Sequence, residues 1–223
     1  MSTVTAIISA YYAAEFLPTR LQNLFAQKPK PEIVVVCQGG SVEDGIASQY
    51  DVVIIRTPDI PTIGAAWNMG LSVATGDYIT TANSDDLFTI DGLKLLVNAL
   101  DEHPQADLVF SAVNLQHADT INPWYRLHTE TGFVPDIMDT LVHRCVIGSM
   151  PLWRRNELRF DESLTVACDY DMWLKMASMG NQFYYLSDIC GTYQKRADSL
   201  EWRNKALCTR ESELVRRRYA NHQ

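Results

Sequence analysis

With 223 residues, 47% of them hydrophobic and 21% charged, the chain has an ordinary globular composition and can bury a core without covalent staples. Its formal net charge of -8 argues against tight non-specific binding to nucleic acid, which needs clustered cations. Five scattered cysteines (Cys37, Cys145, Cys168, Cys190 and Cys208), with no C-x-x-C pair, make a poor disulfide framework and a poor zinc site and fit a reducing cytoplasm. The histidines (His103, His117, His128, His143 and His222) show no metal-ligand spacing either.

Residues 4–14 are apolar, but no basic residue precedes them and Glu15 ends them. The stretch is too short to span a bilayer and reads as a first strand, and no other segment approaches transmembrane length. Val4-Thr5-Ala6-Ile7-Ile8-Ser9 is rich in β-branched residues, as a strand buried on both faces requires. Phe16, Leu17, Leu21, Leu24 and Phe25 fall at helical spacing, and Pro29 and Pro31 stop that helix. Glu32-Ile33-Val34-Val35-Val36 is a second buried strand ending in Gln38-Gly39-Gly40-Ser41, and Val52-Val53-Ile54-Ile55 a short third. Residues 62–74 read as a helix with Ala66, Met69, Gly70 and Val73 on one face, stopped near Gly76. A fourth strand at 78–82, a helix at 89–103 closed by Pro104, and a fifth strand opening at Leu108-Val109-Phe110 continue the alternation. Strands alternating with helices imply an α/β domain with a mostly parallel sheet and right-handed crossovers.

The second half changes character. Residues 114–135, with Trp124, Tyr125 and Phe133, show no period and read as a functional loop. A strand is expected within 146–153, a helix over 169–179 ended by Gly180, a short strand pair at 183–186 and 189–193, and an amphipathic helix over 200–219. No internal repeat or flexible linker interrupts the chain.

Chemistry gathers where the fourth strand runs into Asn83-Ser84-Asp85-Asp86. The end of a parallel strand is where an α/β domain places its site. These carboxylates either satisfy loop amides and cap the next helix, or hold a hard cation that grips phosphates. Asp169 opens a helix and lies four residues before Trp173, so it projects from the inward face, as a cap or as a general base at a cleft. Asp171 points elsewhere and reads as a first-turn carboxylate favoured by the helix dipole. After the first strand, Tyr11 and Glu15 could stack on and hydrogen-bond a nucleoside, or serve packing and a helix start. The amide of Gln38 could read a base edge or ribose. Asn68, mid-helix among small residues, is either a tolerated surface residue or placed to reach a phosphate crevice. Arg216-Arg217-Arg218 form a solvated face suited to a helix C-terminus, with peripheral contact to an anionic membrane as the weaker reading.

In this order and spacing the pieces resemble the family 2 glycosyltransferases with the A-type nucleotide-sugar fold, over nearly the whole chain. Val4 to Tyr11 is similar to the family's opening strand and tyrosine, and Leu24-Phe25-Ala26-Gln27 to the end of its first helix. Ile33 to Ser41 resembles its second strand and base-reading turn. Ala66-Trp67-Asn68-Met69-Gly70 followed by Ala74-Thr75-Gly76-Asp77-Tyr78-Ile79 resembles its helix–strand signature. Asn83-Ser84-Asp85-Asp86 falls at the D-x-D metal motif, and Asp169-Tyr170-Asp171-Met172-Trp173-Leu174-Lys175 resembles the helix that begins with the catalytic base.

The resemblance implies a single glycosyltransferase domain over 1–223, with 1–112 binding the nucleotide sugar and 113–223 carrying the acceptor site and the base. It implies inverting transfer of a sugar from a nucleoside diphosphate donor to an acceptor hydroxyl. Asp169 would be the base. Asp85 would hold Mn²⁺ or Mg²⁺, and Ser9, Tyr11, Glu15, Gln38, Asn68, Asn83 and Ser84 would position the nucleotide sugar. Asp86 and Trp124 would stand on the acceptor side. The departures are Cys37 in place of an acid, Asn83 in place of the first Asp of D-x-D, and Cys168 in place of a Glu before the base. The stretch 193–199 lacks the family's histidine but offers Lys195 and Arg196, which could contact the diphosphate directly. A silent nucleotide-sugar or carbohydrate-binding domain is the alternative, suggested by Asn83 and the missing histidine. A nucleotidyltransferase ranks third, because residues 9–14 lack the glycines and basic residues of its phosphate loop. A cytoplasmic location is expected.

Overall fold

The computed structural model describes residues 2–124, 127 and 130–220, so Tyr125 lies outside the described residues. The first half alternates as expected: β1 (Val4–Ser9), α1 (Leu17–Ala26), β2 (Glu32–Gln38), α2 (Val42–Ala47), β3 (Val53–Thr57), α3 (Ile63–Val73) and β4 (Tyr78–Thr81). Then come β5 (Leu87–Phe88), α4 (Gly92–Glu102), β6 (Leu108–His117), β7 (Thr120–Trp124), β8 (Gly132–Phe133) and α5 (Ile137–His143). The chain closes with β9 (Leu152–Arg154), α6 (Cys168–Ser178), β10 (Phe183–Gln194), α7 (Leu200–Arg203) and α8 (Lys205–Tyr219).

The strands form one mixed sheet in the order β3-β2-β1-β4-β9-β6-β10-β5, with β7 on β6 and β8 on β10. Strands β1, β2, β3 and β4 pair in parallel. β9 runs antiparallel to both β4 and β6, so β6 points the same way as β4, and β10 follows β6 in parallel. The C-terminal ends of β1, β2, β4, β6 and β10 therefore share one edge. β1 shows why the sequence reads as a doubly buried strand. Val4, Ala6 and Ile8 enter the core layer under α1 and α4, while Ile7 enters the layer under α3, α5, α6 and α8. α3 lies close on that strand because residue 70 is glycine: a Cβ there would stand 2.2 Å from Ile7 Cγ2.

Several expected elements take a different form. The short helix α2 was not expected, although Ser41 caps it by accepting the Asp44 N–H at 3.2 Å. The loop expected at 114–135 is partly a hairpin, in which β6 continues to His117 and returns through Ala118, at φ 51°, as β7. The strand pair expected at 183–193 is one strand, β10, whose pairing with β6 shifts register between Leu186 and Gly191. The helix expected over 200–219 breaks at Asn204, and the strand expected within 146–153 is confined to β9.

Candidate functional site

The acidic turn after β4 sits at the shared strand edge and is closed from the far side by the segment after β10. Asp86 is buried: its Oδ1 accepts the Gln194 N–H at 2.9 Å and its Oδ2 accepts Asn83 Nδ2 at 3.1 Å. Burial, reinforced by the neighbouring Asp85 charge, pushes its carboxyl up to about 6. Asp86 is thus a brace between strand ends rather than a surface for an acceptor, the role the resemblance implies for it. Asp85 is half-buried, and its Oδ2 accepts Arg196 Nη1 at 3.2 Å. Burial raises this carboxyl too, against the opposing pull of Arg196 and Arg20.

Arg196 is held on three sides. Its guanidinium lies 3.8 Å from the Phe16 ring centroid, its Nε and Nη2 reach Asp198 at 2.9 and 3.0 Å, and its Nη1 reaches Asp85. Burial lowers its pKa, but Asp198, Asp85 and Glu15 outweigh that and raise it, so Glu15 contributes through its field. Lys195 instead places Nζ 5.3 Å from the Trp202 ring centroid. Trp124 packs against Tyr193 at a centroid distance of 5.9 Å, which brings this aromatic to the same end of β10.

A residue that sequence reasoning passed over lies beneath the turn. Arg20 on α1 is fully buried, with Nη1 on Asn23 Oδ1 at 3.1 Å and the guanidinium 5.0 Å from the Phe88 ring centroid. Among the described residues its Nε and Nη2 have no hydrogen-bond partner. Burial lowers its pKa to about 10, while the fields of Asp86 and Asp85 favour the charge. The signal was in the pattern, since Arg20 occupies the i+3 position of the apolar stripe Leu17, Leu21, Leu24.

Beyond the end of β1, Tyr11 Oη and Thr57 Oγ1 are 2.9 Å apart, and burial raises the Tyr11 pKa. Thr57 also donates to the Asp59 carbonyl at 2.6 Å. Gln38 is half-buried and donates to the Pro58 carbonyl at 3.1 Å, so its amide faces the end of β3. The loop after β1 is pinned by Glu43, which accepts the Ala13 N–H at 2.8 Å. Ser9, at the end of β1, and Ser84, within the turn, are half-buried along the same edge. Asn68 is used otherwise. Its amide clasps the Phe160 backbone at 2.9 and 3.0 Å and the Glu162 carboxylate at 2.8 Å, tying α3 to the loop that leads into α6.

Asp169 stands half-buried in the first turn of α6, where its Oδ1 accepts the Tyr170 N–H at 2.7 Å. The entry to this helix is held from α8. The Glu211 carboxylate accepts the N–H groups of Thr165, Val166 and Ala167 at 2.8–3.1 Å. A carboxylate on three successive amides before a helix start suits the partial positive charge there. Asp171 lies in the first turn of α6, as expected, and is wholly buried there, with Arg218 Nη1 at 2.8 Å and Lys175 Nζ at 3.4 Å. Arg218 also reaches Asp161 at 2.7 Å, so one guanidinium clips α6 to the preceding loop.

The family profile described as glycosyl transferase family 2 matches residues 5–177. The chain belongs to that family. β10, Arg196 and α8 lie beyond the matched stretch of this family 2 chain. Among curated proteins, it is 23% identical over 192 residues to an uncharacterized glycosyltransferase of Rickettsia typhi, covering 81% of this chain and 60% of the relative. It is 24% identical over 204 residues to the chondroitin synthase of Escherichia coli, covering 84% of this chain and 28% of that protein. The chain thus spans about 60% of the Rickettsia relative's length, and less of the synthase. The Staphylococcus aureus TarS structure in complex with UDP-GlcNAc superposes with a TM-score of 0.74 at 18% identity, covering all of this chain and 72% of that one. A mannosyltransferase from Pyrobaculum calidifontis in complex with GDP-Man and Mn²⁺ superposes with a TM-score of 0.68 at 19% identity, covering 92% and 61%. These structural likenesses show that the family 2 chain has the A-type fold, a mixed, mostly parallel sheet flanked by helices.

The divalent cation expected at Asp85 finds a poor donor set in this family 2 chain. Asp85 carries Arg196, both Asp86 oxygens are engaged, and Asn83 turns its amide nitrogen to Asp86. Among the described residues no group of three His, Cys, Asp or Glu side chains is placed to hold a metal ion. No described helix is long and apolar enough to cross a membrane.

Proposed function

We propose that this chain is an inverting hexosyltransferase that uses a nucleoside diphosphate sugar. Its relatives support the donor class, since TarS carries UDP-GlcNAc and the Pyrobaculum enzyme GDP-Man. The observation that carries the reading is the assembly of the Asn83–Asp86 turn, Arg196 and the end of β1 at one sheet edge, in a family 2 chain whose Asp169 opens α6. Residues 1–112 bind the donor, and 113–223 supply the base and the acceptor surface.

In this reading the acceptor hydroxyl attacks the anomeric carbon from the face opposite the diphosphate. The new C–O bond forms as the C–O bond to the phosphate breaks, and the nucleoside diphosphate leaves with the electron pair. The Asp169 carboxylate takes the acceptor proton, which makes the oxygen a better nucleophile as charge develops. Tyr11, Gln38, Asn83 and Ser84 position the nucleotide. Trp124, beside Tyr193, offers an aromatic face to an acceptor sugar. Nothing in the mechanism places the protein on a membrane, and it fits a cytoplasmic enzyme with a glycan or other hydroxyl acceptor.

The test incubates the protein with a panel of nucleotide sugars and sugar acceptors and measures nucleoside diphosphate release. Acceptor-dependent release is expected. Asp169→Asn should lower kcat by a factor of about 100 or more, the scale of losing a positioned base, while donor affinity stays within a few-fold. Unchanged turnover in that variant would remove Asp169 from the role. Donor binding without turnover on any acceptor would favour a silent binding domain.

A further inference from the structure

The geometry points to a donor site that neutralises the diphosphate with guanidinium groups of the chain, Arg196 in contact and Arg20 behind it, so that binding needs no divalent cation. This rests on the glycosyltransferase reading and deepens it.

The first argument is occupancy. A hard cation at a diphosphate site is held by one or two protein carboxylates in addition to phosphate oxygens and water. In the turn, Asp85 is the carboxylate not consumed by the fold, and Arg196 Nη1 already sits on its Oδ2 at 3.2 Å. Asp86 spends one oxygen on the Gln194 amide and the other on Asn83. Asn83 supplies an amide where a carboxylate would add charge. The second argument is field. Arg20 is a fully buried cation, and both Asp85 and Asp86 feel it. Among the described residues its Nε and Nη2 are without a hydrogen-bond partner. Arg196 and Arg20 thus share the turn with Asp85, Asp86 and Asp198, and their two fixed charges weaken its hold on a dication while giving a diphosphate cations to face.

The third argument is geometry for the anion. A guanidinium presents five N–H donors in a rigid plane suited to phosphate oxygens. Arg196 uses one on Asp85 and two on Asp198, which leaves two free. Stacking on Phe16 and the clamp from Asp198 fix the plane between the β1–α1 segment and the end of β4 before any ligand arrives. A preformed donor group of this kind loses little freedom on binding. When the sugar–phosphate C–O bond breaks, the leaving diphosphate gains its negative charge beside this group, which stabilises the departing oxygen.

The experiment is calorimetric titration of UDP, GDP, CDP, ADP and dTDP into the intact protein, once in EDTA and once in Mn²⁺. At least one nucleotide should bind with affinities agreeing within threefold in the two media, and Arg196→Gln should weaken that binding tenfold or more in EDTA. A wild-type affinity that rises tenfold or more with Mn²⁺ overturns the inference and leaves the glycosyltransferase reading standing. Failure of every nucleotide in both media sinks that reading, and this inference with it. The wild-type comparison decides the matter even where the Arg196 variant folds poorly. Arg196→Lys, which keeps the charge and loses the fork, should fall between wild type and Arg196→Gln, and binding equal to that of Arg196→Gln would count against a role for the charge.

Discussion

Glu211 shows how far the entry to α6 depends on a single distant side chain. Its carboxylate takes three backbone N–H groups at the entry to α6, two residues from Asp169 at the nearest. Glu211→Gln keeps the shape but loses the charge and turns one end into a donor facing amides. The expected loss is about 1–3 kcal/mol, the range for hydrogen bonds to a charged group, measurable by urea denaturation. If the clamp also orients Asp169, kcat should fall while donor affinity holds, and a variant that loses stability alone would limit Glu211 to a structural role. Sequence reading at this scale succeeded where the cue was local. Asp169 was recognisable as a helix-start acid, and it stands in the first turn of α6. The burial of Asp171 was not recognisable, because what buries it is Arg218, 47 residues away on α8. Asn68 stood out as a polar residue in a helix of small ones, yet its partners lie 92 and 94 residues on. Both Arg20 and Glu211 interrupt the buried stripe of an amphipathic helix, and that interruption is the signal to look for.

Elements that follow a short period were legible, and those fixed by partner choice were not. β1 and β2 announce themselves by continuous β-branched runs, and α1 and α4 by their apolar stripes. The reversal at β9 could not be read, because only three residues form it and their direction is set by β4 and β6 on either side. The break at Asn204 has no proline or glycine to mark it. α3 shows how tightly an element can be specified once partners are known. Gly70→Ala places a methyl 2.2 Å from Ile7 Cγ2, and the strand it meets is paired on both sides and cannot retreat. Overpacking of this kind should cost about 1–3 kcal/mol, read as a lower denaturation midpoint with an unchanged slope. An unchanged midpoint would mean that α3 can slide on β1.

For the whole molecule, the α/β class and the strand-edge site were legible because alternation alone fixes a parallel sheet and the sheet fixes where its ends meet. How the edge is wired was not, since Asp86 meets Gln194 across 108 residues. The clip between the loop before α6 and α8 makes a prediction about acid. Hydrogen bonds from Ser163, together with Arg218 and against the opposing effect of burial, hold the Asp161 carboxyl at about 2. A carboxyl depressed on folding contributes stability that is present above its unfolded pKa, near 3.9, and is lost as pH falls towards 2. Asp161→Asn should therefore be less stable than wild type at pH 6, with the gap narrowing between pH 4 and 2 in chemical denaturation. A gap independent of pH would place the contribution in packing instead.

The clasp of α8 on α6 carries one more consequence, which concerns the order in which the chain is made. The amides before Asp169 emerge from the ribosome 44 or more residues ahead of the carboxylate that holds them. A nascent chain can pair β1 to β4 while the helix that opens near Asp169 still lacks this clasp. A segment made last is also the place where variation can change the setting of Asp169 while the pairing of β1 to β4 is left untouched.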